Sequence, residues 1–157
     1  MKKTLCRSSH SNLWFFFILD FFSKQWAFKT LDYPVCLSSF LCFDKAINRG
    51  ISWSFFSSDS TVIFTLVSCF VGIFLFLLSW YVAKRRQEGY CVWAEKLIVI
   101  GGTANFLDRL YYGGVMDFIH VFYGNWSFPI FNIADICICV GVVAVLWQTF
   151  FNLSNDN

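Results

Sequence analysis

From Thr61 to Ala83 the chain runs 23 positions without a charged side chain, and no other feature restricts its fold as much. At about 1.5 Å per helical residue, that run crosses the roughly 30 Å hydrocarbon core of a bilayer with some tilt. Lys84, Arg85 and Arg86 close it in a short basic loop. The composition agrees, with 57% hydrophobic and 14% charged residues where an ordinary soluble domain carries about 25% charged. Three further apolar segments, about 13–31, 91–110 and 133–151, complete four predicted transmembrane helices. The expected fold is an all-α integral membrane protein, a single domain over residues 1–157, with a small extracytoplasmic loop region that has room for short β structure.

Lys2, Lys3 and Arg7 ahead of the first apolar segment imitate a secretory signal peptide. Asp20 and Lys24 interrupt the run and no small-x-small cleavage site follows it, so the segment reads as an uncleaved first helix. These basic residues and Lys84 to Arg86 belong on one side of the membrane, which places both termini in the cytoplasm and turns loops 32–60 and 111–132 outward. In the first loop the partly alternating ISWSFF, residues 51–56, suggests short extended structure at the bilayer edge. A net charge of +2 gives no argument for nucleic acid. Of the seven cysteines only Cys36 and Cys42 share an outer loop, and their spacing leaves a bridge between them open. The others read as small buried hydrophobes, and no Cys or His cluster has metal-ligand spacing.

The polar residues concentrate between Asn105 and Asp135. Asn105, Asp108 and Arg109 are spaced i, i+3, i+4, and Asn132 and Asp135 i, i+3, so each set lies on one helix face. Asp20 and Lys24, four apart, can pair or point into a polar cavity. With the orientation above, Asp20, Asp108, Asp117 and Asp135 converge near the outer boundary, where ionisable groups mark functional sites by default. Asp108 and Arg109 read first as a structural lock between helices. Asp117 and Asp135 have no basic residue that is an obvious mate for each, and Arg109 can neutralise only part of the nearby charge. Two carboxylates sharing a poorly hydrated site cannot both ionise easily, so one keeps a proton. Such a pair can hydrolyse an amide with water, one member as base and the other as acid, with no metal or cofactor. Ser54, Ser57 and Ser58 have no nearby histidine, and the paired glycines Gly101–Gly102 and Gly113–Gly114 fit helix packing and a turn better than a phosphate loop. A proton relay through Asp20, Asp108 and Asp135 is the competing reading. It would need polar residues continuing toward the cytoplasm, and there the helices offer little beyond Thr65, Ser68, Ser79 and Gln148.

These motifs resemble those of the lipoprotein signal peptidases, the type II signal peptidases. DFFSK (Asp20 to Lys24) resembles the family's Asp-x-x-x-Lys, and NRGISWSF (Asn48 to Phe55) its Asn-x-Gly loop. NFLDR (Asn105 to Arg109) with GVMDFI (Gly114 to Ile119) resembles Asn-x-x-Asp-Arg and Gly-x-Val-x-Asp-Phe, and FNIAD (Phe131 to Asp135) the closing Phe-Asn-x-Ala-Asp. The resemblance implies a membrane aspartic endopeptidase that cuts diacylglyceryl-modified prolipoproteins before the lipidated cysteine. It makes Asp117 and Asp135 the catalytic pair, with Asp20, Lys24, Asn48, Gly50, Asn105, Asp108, Arg109 and Asn132 binding substrate or supporting the site. It also implies a bacterial inner-membrane enzyme, acting as a monomer beside membrane lipid with its active site at the extracytoplasmic face. Phe21, Ile51, Trp53 and Ala104 depart from the family pattern.

Overall fold

A computed structural model describes residues 13–50 and 60–155, with side chains to residue 151. The charge-free run becomes α2 (Thr61–Gln87), a 27-residue helix. It is joined by α1 (Trp14–Thr30), α3 (Trp93–Tyr112) and α4 (Ile133–Asn155). Leu66, Phe70, Ile73, Phe76 and Trp80 of α2 are all more than half exposed, an apolar surface that suits hydrocarbon and not water. α2 and the Ile133–Phe151 part of α4 are long and apolar enough to cross a membrane, with mean hydropathy 2.7 and 2.0. α1 is only 17 residues long, and α3 carries Glu95, Lys96, Asp108 and Arg109. The charges of those two helices are largely turned inward: Asp20, Lys24, Glu95, Asp108 and Arg109 are buried.

α3 is the hub, packing on α1, α2, α4 and the sheet. A Cβ at Gly101 would lie 2.4 Å from the Ala134 carbonyl oxygen, so α3 and α4 can approach there only because the side chain is missing. α3 then ends at Gly113 in the left-handed conformation, φ 69°, which glycine adopts without a Cβ penalty. That turn sends the chain directly into a strand.

The segments that link α1 to α2 and α3 to α4 are more ordered than their composition suggests. Residues 32–60, expected as a mixed polar loop, contain β1 (Val35–Cys36) and β2 (Leu41–Asn48), and residues 111–132 contain β3 (Val115–Tyr123) and β4 (Trp126–Ser127). The four strands form one antiparallel sheet in chain order. Asp117, expected in a loop, is thus a strand residue facing Ala46 of β2. The reason is pairing across the chain: Asn48 opposes Val115 and Leu41 opposes Val121, with a bulge between Phe43 and Ala46. The extended structure expected at residues 51–56 lies outside the described residues, as do Lys2, Lys3, Arg7, Trp53 and the serines at 54, 57 and 58. Cys36 and Cys42 oppose each other across β1 and β2 and form a disulfide. Phe118 carries the sheet into a small core with Ala27 and Leu31.

Candidate active site

Two carboxylate systems sit side by side where the sheet meets α1, α3 and α4. The first is built on Lys24, which is 1% exposed. Its ammonium lies 2.6 Å from Asp20 Oδ2 and 2.8 Å from Asp108 Oδ2, and donates to Asn105 Oδ1 at 3.0 Å. Each carboxylate also receives a backbone amide. Asp20 Oδ1 accepts from Ala134 N at 2.8 Å, and Asp108 Oδ2 from Met116 N at 3.3 Å. Asp20 therefore anchors α1 to the first turn of α4, where a carboxylate also meets the positive end of the helix dipole, and Asp108 anchors α3 to β3.

The second system holds Asp117 and Asp135, and no ion pair reaches either among the described residues. Asp135 is placed by its own helix start. Asn132 Oδ1 accepts from Asp135 N at 2.9 Å, and Asp135 Oδ2 accepts from Asn132 N at 3.2 Å. This is a reciprocal capping box, and it explains the i, i+3 spacing in FNIAD. The remaining Asp135 oxygen, Oδ1, accepts from Asn105 Nδ2 at 2.7 Å. On β3, Asp117 Oδ1 accepts from Asn132 Nδ2 at 2.6 Å and Asp117 Oδ2 from Asn48 Nδ2 at 3.2 Å. Asn132 thus touches both aspartates, and Asn105 joins the second system to Lys24.

Burial raises the pKa of Asp117 to about 7, and the neighbouring Asp135 charge adds to the rise. The hydrogen bonds from Asn48 and Asn132, and the more distant Lys24, pull the other way without cancelling it.

Asp117 and Asp135 line one cavity of about 160 Å³, together with Asn48, Gly50, Asn105 and Arg109. At roughly 30 Å³ per water it has room for a few waters or a short stretch of peptide. Val71 of α2 and Ile138 and Cys139 of α4 form its apolar side. Among the described residues no group of three His, Cys, Asp or Glu could hold a metal ion.

Every candidate from the sequence therefore falls in or beside one site, although not always as expected. Arg109 shares the cavity and the electrostatic field of Asp117 and Asp135, but among the described residues it forms no close ion pair with them and donates to the carbonyl oxygens of Arg49 and Gly50. Asn48 Oδ1 accepts from Gly50 N at 3.0 Å, so the Asn-x-Gly segment is a turn fastened from both sides. Sequence reasoning missed the Asp20 bond to α4 and the contact of Cys139 with the cavity. A helix start at residue 133 hinted at the first, since Ala134 N lacks an intrahelical partner.

The family model of signal peptidase (SPase) II matches residues 13–151. A lipoprotein signal peptidase of Shewanella sp. (strain MR-4) is 35% identical over 149 residues, covering 89% of this chain and 84% of that protein. One of Yersinia pestis (strain Pestoides F) is 32% identical over 165 residues, covering 100% of this chain and 96% of that protein. Among solved structures, a bacterial membrane enzyme solved by the in meso method at 2.3 Å superposes with a TM-score of 0.76 at 25% identity, covering 92% of this chain and 88% of that one. A second, solved at 1.9 Å, gives a TM-score of 0.69, also at 25% identity.

Proposed function

The chain belongs to the signal peptidase II family, and on that footing we propose that it removes the signal peptide from diacylglyceryl-modified prolipoproteins, cutting before the lipidated cysteine, with Asp117 and Asp135 as its catalytic pair. The observation that carries this reading is the contrast inside the site. Asp20 and Asp108 share a lysine, whereas Asp117 and Asp135 line a cavity and, among the described residues, are held by amide donors alone.

The pair works with one proton between its two members. The ionised carboxylate takes a proton from a water in the cavity as that water attacks the scissile carbonyl carbon. The protonated carboxylate gives its proton to the carbonyl oxygen, and the pair then protonates the departing amine. Coupled groups titrate as a unit, so the proton belongs to the pair. Asn48, Asn105 and Asn132 keep both carboxylates within reach of one water. Lys24, Asp20 and Asp108 hold α1, α3 and α4 in register around them, and Arg109 fixes the turn at Gly50 that forms one wall.

A lipid-modified substrate suits a cavity with an apolar side formed by two bundle helices. The acyl chains stay in the bilayer and present the scissile bond at its edge, which replaces a deep pocket by high effective concentration. In this reading all four helices span the inner membrane, both termini are cytoplasmic, the aspartates lie at the extracytoplasmic face, and the enzyme acts as a monomer.

The test is the mass of the products formed from a purified diacylglyceryl prolipoprotein beside the same precursor lacking the lipid. A new N-terminus at the lipidated cysteine, formed only from the lipidated precursor, is the expected result. Cleavage elsewhere, or equal cleavage of both precursors, would overturn the substrate assignment.

A further inference from the structure

At the end of the bundle away from the aspartates, α1, α2 and α3 leave a second groove, of about 370 Å³. Ser79, Ala83 and Arg86 line it from α2, and Lys96, Ile100 and Thr103 from α3. Both triplets are spaced i, i+4, i+7, so each is one face of its helix. The short connection from Glu88 to Val92 reverses the chain between the two helices. Arg86 and Lys96 therefore stand together at the mouth, and Ser79 and Thr103 lie about 10 Å deeper. Trp14 at the start of α1 lines the groove as well and is 63% exposed.

The two cations at the mouth differ from Arg85 and Lys24. Arg85 pairs with Glu95 at 3.1 Å and stacks on Tyr81 and Tyr90, and Lys24 is enclosed by its two aspartates. Among the described residues Arg86 and Lys96 make no ion pair. Long cationic side chains at a helix end often reach to the membrane surface with no ligand. Here, however, two of them from different helices flank the mouth of one apolar slot. An occupant must present negative charge at the mouth and hydrocarbon below it. Basic pockets between membrane helices take anionic lipid headgroups on these terms, whereas a segment with a cationic end would be repelled.

We propose that this groove binds one anionic phospholipid, its phosphate between Arg86 and Lys96 and an acyl chain along the slot beside Ala83 and Ile100. A lipid bound only to the folded chain stabilises it by mass action.

The test is native mass spectrometry and thermal unfolding of the full chain, delipidated in uncharged detergent and titrated with phosphatidylglycerol or phosphatidylcholine. The expected result is one retained phosphatidylglycerol per chain, at least about fivefold preference over phosphatidylcholine, and a rise in Tm with the anionic lipid alone. Arg86→Gln combined with Lys96→Gln should remove the preference. Ala83→Trp, which keeps both cations and fills the slot, should remove it too. Lys84→Gln, a neighbouring cation outside the groove, should leave it intact. Equal retention of the two lipids, or an unchanged preference in the double variant, would overturn the proposal. So would a Tm rise from inorganic phosphate alone, which would mark a simple anion site. Dimerisation on delipidation that Ala83→Trp abolishes would assign the groove to a second copy and overturn it as well.

Discussion

Asp20 with Asp108 and Asp117 with Asp135 are two aspartate pairs in one polar core, and they are stabilised by different means. The first pair closes on Lys24 at 2.6 and 2.8 Å. Among the described residues the second pair receives only amide hydrogen bonds, from Asn48, Asn105, Asn132 and the Asn132 backbone. A lysine between two carboxylates settles their charge and makes them a brace. Amides orient a carboxylate without settling its charge as a lysine does, so burial and the neighbouring Asp135 charge still raise the Asp117 pKa to about 7. Under the proposed mechanism the same side chain serves as fastening in one place and as reagent in the other.

Breaking the reactive pair should have the largest effect. Asp117→Asn or Asp135→Asn keeps the size and one of the two accepting oxygens while removing the acid–base function, and a loss of at least about 10³-fold in kcat is expected, measured on protein whose unfolding transition is intact. Breaking the brace should act on stability instead. Lys24→Met leaves two buried carboxylates unpaired, a loss of about 3–5 kcal/mol that thermal unfolding in detergent would show. Lys24→Met together with Asp20→Asn and Asp108→Asn should recover much of that stability, because no buried charge is then left alone. A triple variant no more stable than Lys24→Met would mean that the brace acts through geometry and not charge.

Titration sharpens the comparison further. Once the pair loses its shared proton it has no acid to give, and with the Asp117 pKa raised to about 7, kcat/KM should fall on the alkaline side with a limb near 7. A profile flat from about pH 6 to about pH 9 would contradict that assignment. The stability sign follows from the same shift. The folded pKa of Asp117 lies above its ordinary value, so the wild-type fold is favoured with the proton on and weakens as pH rises toward and through about 7. Asp117→Asn cannot ionise, and its Tm relative to wild type should therefore be higher at about pH 8.5 than at about pH 5. The smallest effect belongs to Cys36→Ser with Cys42→Ser. The bridge closes a short loop at the β1 edge, away from Asn48, so about 2 kcal/mol of stability is lost with little change in kcat.

The sequence revealed most where a single local pattern decides the outcome. Thr61 to Ala83 can hardly be anything but a long apolar helix, and the i, i+3 spacing of Asn132 and Asp135, read as one polar helix face, puts both at the first turn of α4, where the structure adds that they cap it. The sheet was hidden because its central pairing joins Asn48 to Val115 and Leu41 to Val121, far apart in the chain, and β2 shows no clean alternation. Arg109 was only partly legible for a related reason. Its place beside Asp108 suggested that the two lock helices together, but the fold brings carbonyl oxygens of the Arg49–Gly50 turn to Arg109 and gives Asp108 to Lys24. Spacing left Cys36 and Cys42 undecided, and only the strand register brings them face to face.

The most direct test of the central claim is cleavage of a purified diacylglyceryl prolipoprotein by wild type, Asp117→Asn and Asp135→Asn side by side, with a chelator present and no metal added. The predicted result is cleavage by wild type alone, with all three proteins unfolding cooperatively. Substantial cleavage by either variant would contradict the proposal that the amide-held pair is the reagent.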